Sequence, residues 1–131
     1  VLGPGLALDG GRAVRIAIPR FGESVAPCFE HSATITIFVT HGRSAAIETE
    51  FALQSQRPLD RVRLLRDQAV DTLICGGVDA HFEDLIRAHG IRVISWVSGN
   101  VDELVQQFLE GRLTAGGARL GRQRNRMQDP E

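Results

Sequence analysis

The chain contains neither lysine nor tyrosine: all 15 basic residues are arginine, against 16 acidic ones, giving a formal net charge of −1 over 131 residues. Without lysine there is no Schiff-base chemistry and no P-loop lysine. A charge this close to zero argues against a dedicated nucleic-acid binder, which is usually visibly basic. Cysteine is scarce as well. Cys28 and Cys75 are the only two, so the framework of four or more that staples a small secreted domain is missing. No apolar run approaches the ~18–20 residues of a helical membrane span. The opening residues lack the basic and apolar regions of a signal peptide, so the expected compartment is the cytoplasm, with reduced thiols. What is present is ordinary globular protein, 43% hydrophobic and 24% charged, of a length that suits one domain.

Gly3, Pro4, Gly5, Gly10 and Gly11 break any periodicity in residues 1–12, which reads as a flexible leader. Residues 114–131 carry Gly116, Gly117 and Gly121, then Arg119, Arg122, Arg124 and Arg126, and read as an Arg-rich flexible tail. Such a charge block is ordinarily solvated, with phosphate or partner docking as the alternative. The folded domain is expected over 13–113. Residues 13–18 form an apolar run halted by Pro19, a strand signal, and a polar loop follows over 20–27. Residues 33–39 are β-branched, 41–43 make a tight turn, and 45–53 give a weaker strand, so these two pair as a hairpin. From Pro58 the period becomes helical, with Leu59, Val62, Leu65 and Ala69 on one face. A short buried strand at 71–75 runs into Gly76-Gly77. Asp79 caps a helix whose inner face is Phe82, Leu85 and Ile86 and which Gly90 ends. Residues 92–96 form the last strand. Asn100 and Glu103 make a capping box for a helix buried through Leu104, Val105, Phe108 and Leu109, and Gly111 closes it. The order β-β-β-α-β-α-β-α predicts an α/β fold: a mixed five-stranded sheet, mostly parallel, with its first strand central and helices on its faces. That layout is ribonuclease-H-like.

In open α/β sheets, ligands gather beyond the carboxyl ends of the parallel strands. Arg20, Cys75, Gly76, Gly77, Ser98 and Gly99 follow such ends. An antiparallel second strand brings Cys28 and His31 to the same rim, and His81 falls in the first turn of the next helix. His41 and His89 go to the opposite rim. Thiols and imidazoles beside glycine loops and two helix N-termini suit an anionic metal–sulfur cluster. A bare Zn²⁺ fits less well, since no C-x-x-C pair exists and only Cys28 and His31 have local ligand spacing. The candidate metal ligands are therefore Cys28, His31, Cys75 and His81, and the candidate cofactor-binding residues are Arg20, Gly76, Gly77, Ser98 and Gly99. Plainer readings stand beside these: Cys75 as a small core hydrophobe, His31 and His81 as surface or capping residues, the glycine pairs as turns, Trp96 as a core or rim aromatic. Cys28, in a loop beside Pro27, has the least packing reason to be there. The rim acids Glu23, Glu30 and Asp79 lack the strand-centred pair of two-metal catalysis, and no Ser/His/Asp order is present. A non-enzymatic role is expected, with thiol-redox or hydrolase activity as the alternative.

The segments Arg15-Ile16-Ala17-Ile18-Pro19, Gly22 through Val25-Ala26-Pro27-Cys28-Phe29, Val70 through Gly77, Gly90-Ile91-Arg92-Val93-Ile94, and Gly99 through Glu103 with Phe108 and Gly111 form an ordered set. In order and spacing over roughly 14–113 this set resembles the dinitrogenase iron–molybdenum cofactor-binding family, of the NifX and NifB C-terminal type. The resemblance implies a ribonuclease-H-like domain that binds or carries iron–molybdenum cofactor, its iron–sulfur precursor or a related molybdenum–sulfur cluster during the cofactor assembly that serves nitrogen fixation. It implies cluster-assembly or acceptor proteins as partners, with a homo-oligomer also in view, and neither membrane nor nucleic acid. Cys28, His31 and Cys75 fall in matching motif regions. The radical-SAM portion of NifB is absent, so no synthase activity carries over. The alternative within the same fold is a metal-free regulatory or interaction module.

Overall fold

Apolar residues occupy both sides of the first long strand, and the fold buries both. β1 (Arg15–Phe21) sends Ile16 and Ile18 into one hydrophobic cluster and Ala17 into another, each at 0% exposure. A strand covered on both faces belongs in the interior of a sheet flanked by helices. In this computed structural model, which describes residues 13–53 and 57–116, β1 takes that central place. The leader expected over 1–12 and the tail beyond residue 116 lie outside the described residues.

The remaining elements are β2 (Ser24–Val25), a single 3₁₀ turn (Phe29–His31), β3 (Thr34–His41), β4 (Ser44–Ala52), α1 (Pro58–Asp67), β5 (Thr72–Ile74), α2 (Ala80–Ala88), β6 (Arg92–Ile94) and α3 (Val101–Leu109). The sheet order is β4-β3-β1-β5-β6, with β2 paired to the end of β1. β3 runs antiparallel to β1 and β4, while β5 runs parallel to β1 and β6. Ala17, Ile35, Leu73 and Cys75 pack on one side with Val62 and Leu65 of α1 and Ile86 of α2. Ile16, Ile18, Ile74 and Ile94 pack on the other with Val101, Leu104 and Val105 of α3. The result is a mixed α/β fold in which, among the described residues, six strands and three helices are present.

Several expectations change. The sheet is mixed but not mostly parallel, since three of its strand pairings are antiparallel and two are parallel, the short β2 and the β3–β4 hairpin adding antiparallel edges. The sheet has six strands rather than five, because Ser24 and Val25 pair with Phe21 and Arg20 as a short antiparallel strand. β1 is not halted by Pro19 but runs to Phe21. The Pro19 carbonyl accepts the Ala26 N–H at 2.8 Å, so the side of Pro19 that lacks a donor faces the loop and not the β3 ladder. α1 ends at Asp67, and Ala69 lies beyond it at φ +54. The Ala69 and Val70 N–H groups donate back to Arg66 and Leu65, the pairing that closes a helix through a left-handed residue. Leu59 is 44% exposed, so the buried face of α1 is Arg61, Val62 and Leu65. β6 stops at Ile94, ahead of Trp96.

Candidate functional site

The carboxyl ends of β1, β5 and β6 and the segment 22–31 meet at one edge of the sheet, and two backbone seams hold them. At Gly76 a Cβ would stand 2.5 Å from the Ala26 carbonyl oxygen and 2.8 Å from that of Pro27, so no other residue fits. The Gly77 N–H donates to the Pro27 carbonyl at 2.7 Å, and the Phe29 N–H donates to that of Gly77 at 2.8 Å. Cys28 thereby bridges Gly77 in parallel fashion, an isolated bridge beyond the end of β5. The second seam joins Ser24 to Asn100: the Val25 N–H donates to Gly99 O at 3.0 Å and the Val101 N–H to Glu23 O at 2.8 Å.

Cys28 is half-buried and donates its S–H to Glu30 Oε1 at 3.1 Å. Burial raises its pKa above the usual thiol value, and the hydrogen bond to Glu30 adds to the rise. Glu30 serves a second partner, because its Oε2 accepts the Asp79 N–H at 2.6 Å. Asp79 in turn caps α2 by accepting the His81 N–H at 2.8 Å. Cys75 lies at 0% exposure in the cluster with Phe29, Val78 and Ile86. Burial drives its thiol far up, the charges of Glu83, Glu30 and Cys28 push the same way, and Arg87 opposes them. Both thiols therefore hold their protons at neutral pH, and each becomes a ligand only on losing one.

The topology brings Cys28, His31, Cys75 and His81 to one edge but does not gather them into a ligand set. His31 is exposed on the 3₁₀ turn, and the exposed His81 ring sits edge-on to Phe82 with centroids 5.5 Å apart. Among the described residues, no three His, Cys, Asp or Glu side chains form a group that could hold a metal ion.

The backbone cradle is also largely occupied by the protein itself. Gly76 O accepts the Trp96 N–H at 2.8 Å, Gly77 is bonded on both sides, and Gly99 O is taken by Val25. The Asn100 side chain accepts the Glu103 N–H at 3.1 Å, while Val101 N–H is spent on Glu23. Arg20 follows Ile16 and Ile18 onto the α3 side of β1. Its Nε donates to Gly22 O at 2.7 Å, and its Nη1 lies 4.0 Å from Glu50. Ser98 is exposed and lines a cleft of about 230 Å³ with Val97, Leu104, Gln107, Arg112, Leu113 and Thr114. The first residues of the expected tail return to this edge, where the Gly116 N–H donates to Ser95 O at 2.6 Å.

Two residues matter more than the sequence suggested. Glu30 looked like one rim acid among three, although its spacing of two from Cys28 was a readable sign of contact. Trp96 is 45% exposed at φ +63, and no sequence pattern announces a tryptophan in the left-handed region. The edge thus offers a soft, half-buried thiol, a carboxylate that accepts its S–H hydrogen bond, a closed glycine seam and an exposed indole.

The structural relatives share this fold. PH0822 superposes with a TM-score of 0.72 at 19% identity, the match covering 79% of this chain and 95% of that one. The apo form of the orange protein from Desulfovibrio gigas gives 0.63 at 22% identity, covering 81% and 95%. A proposed NifB protein from Thermotoga, placed in the DUF35 family, gives 0.58 at 29% identity, covering 78% and 92%. No curated protein sequence matches the chain. Among the described residues, no helix is long and apolar enough to cross a membrane. The family model for dinitrogenase iron-molybdenum cofactor matches residues 12–111, the whole stretch from β1 through α3, and the chain belongs to that family.

Proposed function

We propose that the protein holds an anionic metal–sulfur cluster as cargo at this edge and passes it to another protein without catalysing a reaction. The cargo would be iron–molybdenum cofactor, its iron–sulfur precursor or a related molybdenum–sulfur cluster. The observation that carries the reading is the half-buried Cys28 thiol, set against Gly77 at the sheet's carboxyl edge in a chain of this family. Cys28 is the thiolate ligand, and on loading it gives up its proton to solvent along with its hydrogen bond to Glu30. His31, exposed one turn away, is the co-ligand. Cys75 and His81 join only in an opened edge, because Cys75 is sealed in the core and His81 packs on Phe82. The partners are proteins that build or accept the cluster, or a second copy of this chain, in the cytoplasm. The sheet order with an antiparallel β3 beside the central β1 supports a ribonuclease-H-like assignment of the fold.

The test is anaerobic incubation of the full chain with tetrathiomolybdate, and separately with iron and sulfide, followed by gel filtration and metal and sulfide counting. Uptake near one cluster per chain, lost in Cys28→Ser, is the expected result. Absence of uptake by the wild type, or equal uptake by the variant, refutes the assignment.

One specific observation favours a second reading, a metal-free interaction module. The seam amides are satisfied internally and both thiols are held protonated. That reading expects no metal uptake and a stable homo- or hetero-oligomer in light scattering.

A further inference from the structure

The chain's single tryptophan sits in a backbone conformation that tryptophan disfavours. Trp96 has φ +63, where glycine or asparagine would be the unstrained choice. Its neighbourhood leaves the backbone no freedom to relax. The Trp96 N–H is bonded to Gly76 O at 2.8 Å and the Val97 N–H to Cys75 O at 3.2 Å, while Ser95 and Val97 are buried on either side. The residue is nonetheless 45% exposed. The part of the ring that does make contact lies over the glycine seam: Cη2 and Cζ3 stand 3.1 Å from where a Gly77 Cβ would be. A side chain at 77 would crowd the ring, and Gly77 is the residue that Cys28 bridges. A strained backbone at 96 and a bare α-carbon at 77 thus combine to hold an indole over the glycine that pairs with Cys28. Strain retained at an exposed aromatic points to a role for the ring itself.

We infer that Trp96 is a contact residue for the cargo, its indole forming one wall of the site at Cys28 and meeting a sulfide-rich, anionic ligand. This inference rests on the carrier reading given above. The chemistry fits the ligand class, because an aromatic ring edge carries partial positive charge and favours polarisable sulfur. A protein partner would use the same ring differently, as an apolar anchor.

The full chain is titrated anaerobically with tetrathiomolybdate, and bound molybdenum is measured by equilibrium dialysis while the sole tryptophan reports by fluorescence. Wild type is expected to show quenching that tracks uptake. Trp96→Gly, which removes both strain and ring, should keep its circular dichroism spectrum and thermal transition while its Kd rises about tenfold, the upper range of a sulfur–aromatic contact. Trp96→Asn, also at ease in the left-handed region, repeats the test should the glycine variant fold poorly. Trp96→Phe should stay within about threefold of wild type, since it keeps a ring edge. A Kd within twofold of wild type in both the glycine and asparagine variants overturns the inference and leaves the carrier reading standing, as expected if the ring docks a protein instead. Wild-type uptake without quenching overturns it too. A wild type that takes up no molybdenum overturns the carrier reading and the inference together.

Discussion

Substituting Gly76 by alanine is the sharpest test of the seam that builds the edge. The added methyl would sit 2.5 Å from Ala26 O and 2.8 Å from Pro27 O, both backbone atoms that no side-chain rotation can move aside. Relieving the clash means pushing the 26–29 segment off the end of β5. That displaces the bond from Gly77 N–H to Pro27 O and the one from Phe29 N–H to Gly77 O, and it disturbs the pairing of Trp96 N–H with Gly76 O. At a net ~1 kcal/mol for each of two or three bonds, plus overpacking of ~1–3 kcal/mol, the loss comes to roughly 3–6 kcal/mol. For a domain of this size that lowers the melting temperature by more than about 10 °C. Gly77→Ala is the matched control. Its methyl meets Pro27 O and the Trp96 ring at 3.1 Å, and the ring is a side chain that can shift, so about 1 kcal/mol is expected. Paired thermal or denaturant melts decide the matter. Equal melting temperatures for Gly76→Ala and wild type would refute the reasoning, and a larger loss at 77 than at 76 would reverse it.

Three further outcomes follow from the same coordinates. The raised pKa of buried Cys75 makes folding stability complete below the unfolded thiol's value and lost as pH climbs past it, so stability should fall above about pH 8.5 by up to ~1.4 kcal/mol per pH unit. No lysine or tyrosine titrates there, but Cys28, whose pKa is also raised, adds a slope of the same sign, so the test is the difference: a Cys75→Ala variant whose alkaline slope in urea melts matches wild type would contradict the assignment. Ala69→Gly should raise stability by about 0.5–1 kcal/mol by relieving the left-handed residue after α1, and a lower melting temperature would count against that reading of its φ. Glu30→Ala removes the acceptor of the Asp79 N–H and the Cys28 S–H, so it should cost about 1 kcal/mol and shift Cys28 alkylation toward lower pH. An unchanged alkylation profile would show that the carboxylate does not hold the thiol proton.

The layout was legible because hydrophobic period and end signals agree along this chain. Asn100 with Glu103, Asp79, Pro58, Gly90 and Gly111 all take the capping places their spacing implies. The gathering of Cys28, Cys75, His31 and His81 at one edge needed only strand direction, which the hairpin and the two crossovers fix. What the sequence could not supply was the state of each group at that edge. The glycine loops looked open to an anion, but their backbone groups are consumed by the 22–29 segment, a tertiary pairing with no local signature. Arg20 shared the edge in sequence and turned to the α3 side in space, because alternation along β1 decides its face. β2 is two residues long, too short for any periodicity to reveal. Ala69 and Trp96 occupy left-handed conformations that their residue types argue against, so only coordinates disclose them.

The central claim, that Cys28 is where cargo attaches, is tested most directly by chemical protection. Full-length protein, empty or loaded anaerobically with tetrathiomolybdate, is treated with iodoacetamide at alkaline pH, and the Cys28 peptide is quantified by mass spectrometry. The account predicts rapid modification of Cys28 in the empty protein, protection in proportion to bound molybdenum, and return of reactivity once the metal is stripped. Loaded protein whose Cys28 alkylates as fast as that of the empty chain would contradict it.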